Sequence, residues 1–289
     1  MTFTKLEGAG NDFILIEAEG VEQDWSQIAI AMCNRHFGVG ADGLLLLLPS
    51  EVADFRMRMF NPDGSEAEAC GNGMRCLARY IIDKELLPKK FEETGEISVE
   101  TIAGIRRIVV HREAGKLTKI KVDMGVPKFE AKDIPVLLGR GGTTRKPMLS
   151  CRVMVKGREL LLNLVSIGNP HAVYFWQRPV SEFPLSQIGP EIENHNMFPN
   201  RTNFEVATVT DRRKIEVRVW ERGARETLAC GSGACAVAVV ARLNGQIDDI
   251  VDIRLPGGIL EVEWDGAGEV FLSGPAKVVF TGEWLANKT

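Results

Sequence analysis

Glu66-Ala67-Glu68-Ala69-Cys70-Gly71-Asn72-Gly73 is answered 160 residues later by Glu226-Thr227-Leu228-Ala229-Cys230-Gly231-Ser232-Gly233. The same shift carries Arg58 onto Arg218, Glu66 onto Glu226, Ala69 onto Ala229, Cys70 onto Cys230, Gly71 onto Gly231, Gly73 onto Gly233 and Ala78 onto Ala238, without a gap. The chain therefore reads as two copies of one unit. In each copy a cysteine opens a Gly-x-Gly turn that leads into an apolar segment of helical composition, residues 74–87 in the first and 234–243 in the second. Each thiol is expected at a helix N-terminus, where unsatisfied N–H groups and partial positive charge bind anions and lower a thiol's pKa.

Length and composition agree with this reading. At 289 residues the chain has room for about two domains of roughly 150 residues each. With 45% hydrophobic residues it can bury a full core. Its 29 glycines, about one residue in ten against roughly 7% typically, predict many tight turns in a strand-rich fold. The net charge of −4 is spread over interspersed residues of both signs, and no basic patch with interleaved aromatics appears, which excludes nucleic acid as the expected partner. Residues 1–12 lack a basic region followed by an apolar core, and no apolar run reaches the ~18 residues of a membrane span. A cytoplasmic protein with no membrane partner is expected, so its six cysteines should be thiols and not disulfides. Cys33, Cys76, Cys151 and Cys235 read as core residues. The four histidines lack metal-type spacing, and neither His-x-x-x-His nor Cys-x-x-Cys occurs, so no metal is expected.

In chain order, strands are expected at 3–6, 13–17, 44–48 and 55–60, with a helix at 25–37 and a turn at 61–65. Gly38-Val39-Gly40-Ala41-Asp42-Gly43 has the form G-x-G-x-x-G, but it follows a helix and opens a strand, the reverse of a dinucleotide fingerprint. After the first cysteine helix come strands at 97–101, 106–111 and 120–124, and a boundary at 125–128. The second unit starts with strands at 134–138 and, beyond a Gly-rich loop at 139–146, at 151–155 and 160–166. Gly168-Asn169-Pro170-His171 is read as a loop, with Gly168-Asn169 lying 158 residues after Gly10-Asn11. A strand at 173–176, a loop with a short helix at 183–200, and strands at 202–209 and 215–220 precede the second cysteine helix. Residues 234–241 carry no polar face, so that helix should be buried on every side. Strands at 253–255, 259–264, 270–273 and 277–280 complete the chain. Strand and helix do not alternate regularly, which points to α+β: two pseudo-symmetric domains, each a mixed, largely antiparallel sheet wrapped round a central helix.

Two thiols at two helix N-termini suit one chemistry in particular. A thiolate that removes a proton from carbon and returns it from the same side restores the original stereocentre. Inversion needs a base on one face and an acid on the other, and two domains facing across a cleft would supply them. A thiol with pKa near ~8.5, lowered at a helix terminus, serves in either state near neutral pH. The N–H groups of Gly71-Asn72-Gly73 and Gly231-Ser232-Gly233 are candidates to hold an α-carboxylate and stabilise charge as the α-proton leaves. No cofactor, pyridoxal phosphate included, is required.

The residues also resemble a known family, the diaminopimelate epimerases. The likeness runs through Gly10-Asn11-Asp12-Phe13, Asn61-Pro62-Asp63-Gly64-Ser65, residues 69–76, Asp123-Met124-Gly125-Val126-Pro127, Gly168-Asn169-Pro170-His171-Ala172, Glu221-Arg222-Gly223, residues 227–235 and Gly274-Pro275-Ala276. It implies cofactor-independent epimerisation of LL-2,6-diaminopimelate to the meso form, in lysine and peptidoglycan precursor synthesis. It further implies Cys70 and Cys230 as the acid/base pair, His171 and Glu221 as polarising partners, and Asn11, Asn61, Asn169, Asn203 and Arg222 as substrate-holding residues. Gly71, Asn72, Gly231 and Ser232 join these through their helix-terminal positions. The likeness also implies that the last strand returns to the first domain, giving domains of 1–127 with about 274–289, and 128–273.

Two positions depart from the family's common form. Ser232 stands where Thr is usual, which keeps the hydroxyl, and Gly43 stands where some members carry Gln. A related cofactor-independent racemase or isomerase acting on proline, hydroxyproline or histidine is the alternative, with Asn72 and the Glu221-Arg222 pair favouring diaminopimelate. A thiol redox protein is a third reading, against which the missing Cys-x-x-Cys counts. A homodimer is kept open.

Overall fold

In the computed structural model, which describes residues 1–67, 70–113, 116–137 and 147–285, the chain forms eighteen strands and five helices. They run β1 (Thr2–Gly8), β2 (Asn11–Glu17), α1 (Trp25–Cys33), β3 (Gly43–Leu48), β4 (Phe55–Phe60), β5 (Glu66–Ala67), α2 (Gly71–Asp83), α3 (Phe91–Thr94), β6 (Glu96–Thr101), β7 (Gly104–Glu113) and β8 (Lys116–Asp123). There follow β9 (Cys151–Val155), β10 (Arg158–Ser166), β11 (Pro170–Phe175), a 3-10 turn (Val180–Glu182), α4 (Leu185–Glu193), β12 (Asn203–Asp211), β13 (Lys214–Glu221), β14 (Arg225–Thr227), α5 (Gly231–Leu243), β15 (Ile250–Leu255), β16 (Gly258–Glu263), β17 (Phe271–Ser273) and β18 (Lys277–Glu283). The chain divides into two compact units: Met1–Asp123 with the segment from Ser273 onward, and Met124–Leu272.

Each unit repeats one sheet order. In the first, β18, β1, β2, β3, β4, β6, β7 and β8 are neighbours in that sequence, with β2–β3 and β4–β6 parallel and the other pairs antiparallel. In the second, β9, β10, β11, β12, β13, β15 and β16 follow the same scheme, with β11–β12 and β13–β15 parallel. The small strands β5 and β14 pair with β4 and β13 respectively. The fold is α+β. The sheet of the first unit curls about α2, which packs on β1, β2, β3, β7, β8 and β18; α5 packs on β10, β11, β12, β15 and β16.

The two enclosed helices explain why the units hold together. From Gly233 to Ala241 every residue of α5 is buried, as expected of a segment without a polar face. Val237, Val239 and Val240 are fully removed from solvent, each contributing about 1.5–3 kcal/mol of apolar burial, which outweighs the few tenths that β-branching costs a helix. Around them, β3 reads as five consecutive leucines because both its faces are covered, whereas β6 and β9 alternate in burial and each turn one face to solvent. Both helices end in the same Schellman geometry. Leu86 N–H bonds Ile81 O and Glu85 N–H bonds Ile82 O; in the second unit Gln246 N–H bonds Ala241 O and Gly245 N–H bonds Arg242 O. Glu85 adopts φ 57° where Gly245 adopts 69°.

Several elements differ from expectation. The Gly-x-Gly segments are not turns ahead of the helices but their first turns, since α2 and α5 begin at Gly71 and Gly231. The left-handed Glu85 stops α2 at Asp83, short of 87. Helix α1 stops at Cys33 instead of 37 because Asn34 turns to extended backbone (φ −61°, ψ 120°), and its Oδ1 accepts the N–H groups of His36 and Phe37 at 2.9 Å each, starting a separate turn. Residues 131–135 form turns, not a strand: Ile134 N–H bonds Glu130 O and Val136 N–H bonds Ala131 O, so the buried Ile134 and Val136 are apolar without being extended. Leu138 and the loop at 139–146 lie outside the described residues, as do Glu68 and Ala69 of the repeated stretch. Pro170 and His171 belong to a strand and not to a loop. All six cysteines are thiols, with Cys33, Cys76, Cys151 and Cys235 in the core.

Candidate active site

Each unit places a cysteine at the N-cap of its central helix. Cys70 (φ −143°, ψ 114°) and Cys230 (φ −125°, ψ 114°) have the extended backbone of a cap residue, each followed by a helix of 13 residues. The glycines three residues on are closely approached. A Cβ on Gly73 would come 3.2 Å from Leu45 Cδ2, and one on Gly233 would come 2.9 Å from Glu205 Oε1.

Around Cys70 the polar groups include amides tied to a charged cluster. The sulfur accepts the Gly73 N–H at 3.4 Å and lies 4.0 Å from Asn11 Oδ1. Asn11 Oδ1 accepts from Asn72 Nδ2 at 3.1 Å, and Asn72 Oδ1 accepts from Arg75 Nη2 at 2.7 Å. Arg75 is fully buried and also donates to the carbonyls of Gly71 and Pro275. On its other side Asn11 donates to Asp42 Oδ2 at 2.7 Å, and Arg35 bridges Asp42 and Asp12 with Nη2 2.7 Å from each. Burial opposes the Asp12 charge, but Arg35 and Lys5 outweigh it and hold that carboxyl down to about 2. Asn11 is thereby pinned at the mouth of β2. Asn61 is held in its own turn instead, donating to Ser65 Oγ at 2.9 Å. Gly43 is closed in, since a Cβ there would come 3.1 Å from Met59 Cε and 3.2 Å from Phe60 O.

Around Cys230 the groups are ionisable. His171, on β11, places Nδ1 2.7 Å from Glu205 Oε1 and Nε2 2.9 Å from Asn169 Oδ1, and the side chains of His171 and Glu205 have 0% exposure. Glu205 Oε2 is buried with no hydrogen-bond partner among the described residues. Cys230 Sγ lies 3.5 Å from Ser232 Oγ, and Glu221 accepts from the Thr227 hydroxyl. Burial pushes the Glu221 carboxyl up, against the Thr227 hydroxyl, the Cys230 thiol and the His171 charge. For Cys230, burial and then the negative charges of Glu221 and Glu205 push the thiol well above its ordinary range. This corrects the expectation of a lowered thiol at this helix terminus: a dipole worth about 0.3–1 kcal/mol does not offset full burial beside two carboxylates.

The turn after β13 is built from below. Glu193 accepts from Trp220 Nε1 at 2.7 Å and from Gly223 N at 2.9 Å, and Gly189 leaves room for the Trp220 ring, which a Cβ would meet at 2.5 Å. Asn203 is buried with its amide committed to backbone, donating to Pro170 O at 3.0 Å and accepting from Arg222 N at 2.8 Å. Arg222 itself is exposed, with Nη1 3.2 Å from Asn200 O. Of the residues singled out from sequence, the structure thus gathers Cys70, Asn11, Asn72 and Gly71 in one unit, and Cys230, Ser232, Gly231, Glu221, His171, Asn169, Asn203 and Arg222 in the other. Glu205, Arg75 and Glu193 are new. A charge at the centre of Asn203-Phe204-Glu205-Val206-Ala207, otherwise apolar enough for a buried strand, was the available signal for Glu205. Among the described residues no group of three or more His, Cys, Asp or Glu is placed to hold a metal ion.

Comparison with known proteins agrees with this architecture. Residues 3–130 and 163–279 match the family described as diaminopimelate epimerase. The diaminopimelate epimerase of Acetivibrio thermocellus is 45% identical over 290 residues, covering 100% of both chains, and that of Methanococcus maripaludis is 44% identical over 285 residues, covering 98% of this chain and 99% of the relative. Among solved structures, a probable proline racemase from Agrobacterium radiobacter superposes with a TM-score of 0.72 at 15% identity, covering 99% of this chain and 93% of that one. A phenazine biosynthesis protein of the PhzF family from Bacillus anthracis gives 0.67 at 18% identity, covering 99% of each chain. These structural likenesses show the fold, and the full-length sequence matches show the rest: the chain belongs to the diaminopimelate epimerase family.

Proposed function

We propose that this protein is an isomerase that converts LL-2,6-diaminopimelate to meso-diaminopimelate without a cofactor, a step that feeds lysine and peptidoglycan precursor synthesis. The observation that carries the reading is the pair of cysteines capping two equivalent central helices, in a chain that matches diaminopimelate epimerases from end to end. We assign Cys70 and Cys230 as the two proton carriers. One, as thiolate, takes the α-proton; the other, as thiol, delivers its proton to the opposite face. The carbon is inverted and the two sulfurs exchange protonation states, so no net proton is consumed. First-turn N–H groups at Gly71-Asn72 and Gly231-Ser232 are assigned to the substrate's reacting carboxylate, where charge builds as the C–H bond breaks.

His171 and Glu221 support the sulfur of Cys230. Asn11, Asn61, Asn169 and Asn203 line the substrate, with Asn203 acting through the backbone of Arg222. Arg222 supplies a planar cation for the distal carboxylate. We further propose that Met1–Asp123 with the returning C-terminal strand, and Met124–Leu272, are the two domains of the enzyme, and that it works in the cytoplasm. Among the described residues no helix is long and apolar enough to cross a membrane.

Incubating the reduced protein with LL-diaminopimelate, L-proline, trans-4-hydroxy-L-proline and L-histidine, and resolving stereoisomers by chiral chromatography, tests the reading. Rapid appearance of meso-diaminopimelate with the other three left unchanged is expected. Inversion of proline, hydroxyproline or histidine without turnover of diaminopimelate would overturn it.

A further inference from the structure

Glu205 is a buried carboxylate that no role so far explains. Its Oε1 meets His171 Nδ1 at 2.7 Å, its Oε2 has no hydrogen-bond partner among the described residues, and both side chains are wholly buried. Carrying an ion pair into the interior costs several kcal/mol per ion before the attraction is counted, so such a pair is a poor device for stability alone. The protein itself shows that the fold does without it. In the first unit β2 pairs with β3 as Phe13↔Gly43 and Leu15↔Leu45; in the second β11 pairs with β12 as His171↔Asn203 and Val173↔Glu205. Phe13 and Leu45, both fully buried, therefore occupy the positions of His171 and Glu205, and an apolar pair serves that packing. A Cβ on Gly233 would come 2.9 Å from Glu205 Oε1, as one on Gly73 would come 3.2 Å from Leu45 Cδ2, so Glu205 lies directly under the first turn of α5 that Cys230 opens.

We propose that Glu205 is a positioning residue of the epimerase: it keeps a proton on Nδ1 of His171 and fixes the ring with Nε2 turned to Asn169, beside the turn that carries Cys230. A carboxylate on one ring nitrogen sets which nitrogen bears the proton and how the ring lies. His171 is then the imidazolium, with Nε2–H donating to Asn169 Oδ1, or the Nδ1–H tautomer with the Asn169 amide turned so that Nδ2 donates to Nε2, and not the Nε2–H tautomer. Without Glu205 the ring is free to adopt that tautomer or to rotate, and Asn169 loses a defined partner. This rests on the assignment of Cys230 and His171 to the site.

Two variants and one measurement on the unaltered protein test it. Nitrogen-15 NMR of histidine-labelled wild-type protein is expected to show Nδ1 of His171 protonated throughout the range of activity; an Nε2–H tautomer there would overturn the proposal. Glu205→Gln keeps the size and one acceptor but removes the charge, and Glu205→Leu copies the first unit and removes both. With diaminopimelate, kcat should fall about 10–100-fold in the two variants, the larger loss in Glu205→Leu, with KM unchanged. Removing one partner of a buried pair leaves the other uncompensated, so Glu205→Leu should also lower the melting temperature, and kcat is therefore compared per folded molecule, at a temperature where the variant is folded. A purely structural role predicts the same loss of stability with kcat per folded molecule unchanged, and that result would overturn the proposal. Cys230→Ala separates the two levels. If it still epimerises, the site assignment fails; if it is inactive while both Glu205 variants keep wild-type kcat, this inference alone fails.

Discussion

The two halves of this protein share a backbone and differ in what they bury beneath it. Around Cys70 the strands supply Phe13 and Leu45, and the polar contacts include the amides of Asn11 and Asn72, anchored by Arg75 and by the Arg35–Asp12–Asp42 cluster. Around Cys230 the same strand positions supply His171 and Glu205, joined by Glu221 where the first unit has Asn61. A duplicated fold thus keeps its helix, cap and Schellman end while the side chains under the cap diverge. The difference teaches that a helix terminus does not by itself decide the state of the thiol it carries. At Cys230, full burial and the carboxylates of Glu221 and Glu205 weigh more.

The comparison can be broken most directly at the two sulfurs. If they are opposite-face acid and base, Cys70→Ala and Cys230→Ala should each lose inversion by at least the upper part of the 10²–10⁴-fold range of a general acid/base group, in initial-rate assays. Substrate binding measured by calorimetry should survive in both, since the N–H groups at the helix starts remain. Near-normal epimerisation by either folded variant would end the paired-thiol account.

Next in size is the apolar member of the contrast. Leu45→Ala empties a fully buried site against Gly73 and should cost about 2–5 kcal/mol of stability by urea denaturation, a loss of folding and not of chemistry. A cost well below 1 kcal/mol would mean the first unit does not depend on that packing. Arg222 has Pro62 as its counterpart, so only the second unit offers an exposed guanidinium there. Arg222→Ala should raise KM for diaminopimelate by the equivalent of about 1.5–3 kcal/mol, the loss of a charged hydrogen bond. Unchanged kinetics would remove Arg222 from the substrate's distal end.

The smallest effects are expected where the halves agree. Arg58 Nε meets Glu66 at 2.7 Å and Arg218 Nε meets Glu226 at 2.8 Å, both pairs partly exposed. Arg58→Ala should stay within about 1 kcal/mol of wild type in stability. Arg218 also donates to Val180 O and Phe183 O at 3.0 Å, so Arg218→Ala should cost more than Arg58→Ala. Equal values for the two would show that those carbonyls find other partners.

The contrast also marks what was legible in the sequence. The echo of Cys70-Gly71 in Cys230-Gly231 announced two equivalent helices, because a repeat in register survives divergence at other positions. Element ends were less legible. Gly-x-Gly reads as a turn yet opens both helices, Asn34 leaves helical backbone and starts a separate turn with its side chain, and Ile134 and Val136 alternate like a strand while lying in and just after turns. In the site, the cysteines and the Gly168-Asn169-Pro170-His171 motif stood out by composition. Glu205 did not, because strand burial is a tertiary fact: one charged residue between Phe204 and Val206 reads as the solvent face of an alternating strand until both faces prove covered. Nor does a pairing such as Val173↔Glu205 follow from local pattern, since β11 and β12 are parallel and separated by a helix.

The central claim, two thiols on opposite faces of one carbon, is tested most directly by running the wild-type reaction in deuterated water and analysing both isomers early. A thiol exchanges its hydrogen with solvent, whereas the proton just abstracted sits on the other sulfur. The account predicts deuterium at the α-carbon of newly formed meso-diaminopimelate and almost none in the remaining LL substrate. Deuterium entering substrate and product at equal rates from the first turnovers, or product that retains the original hydrogen, would contradict it.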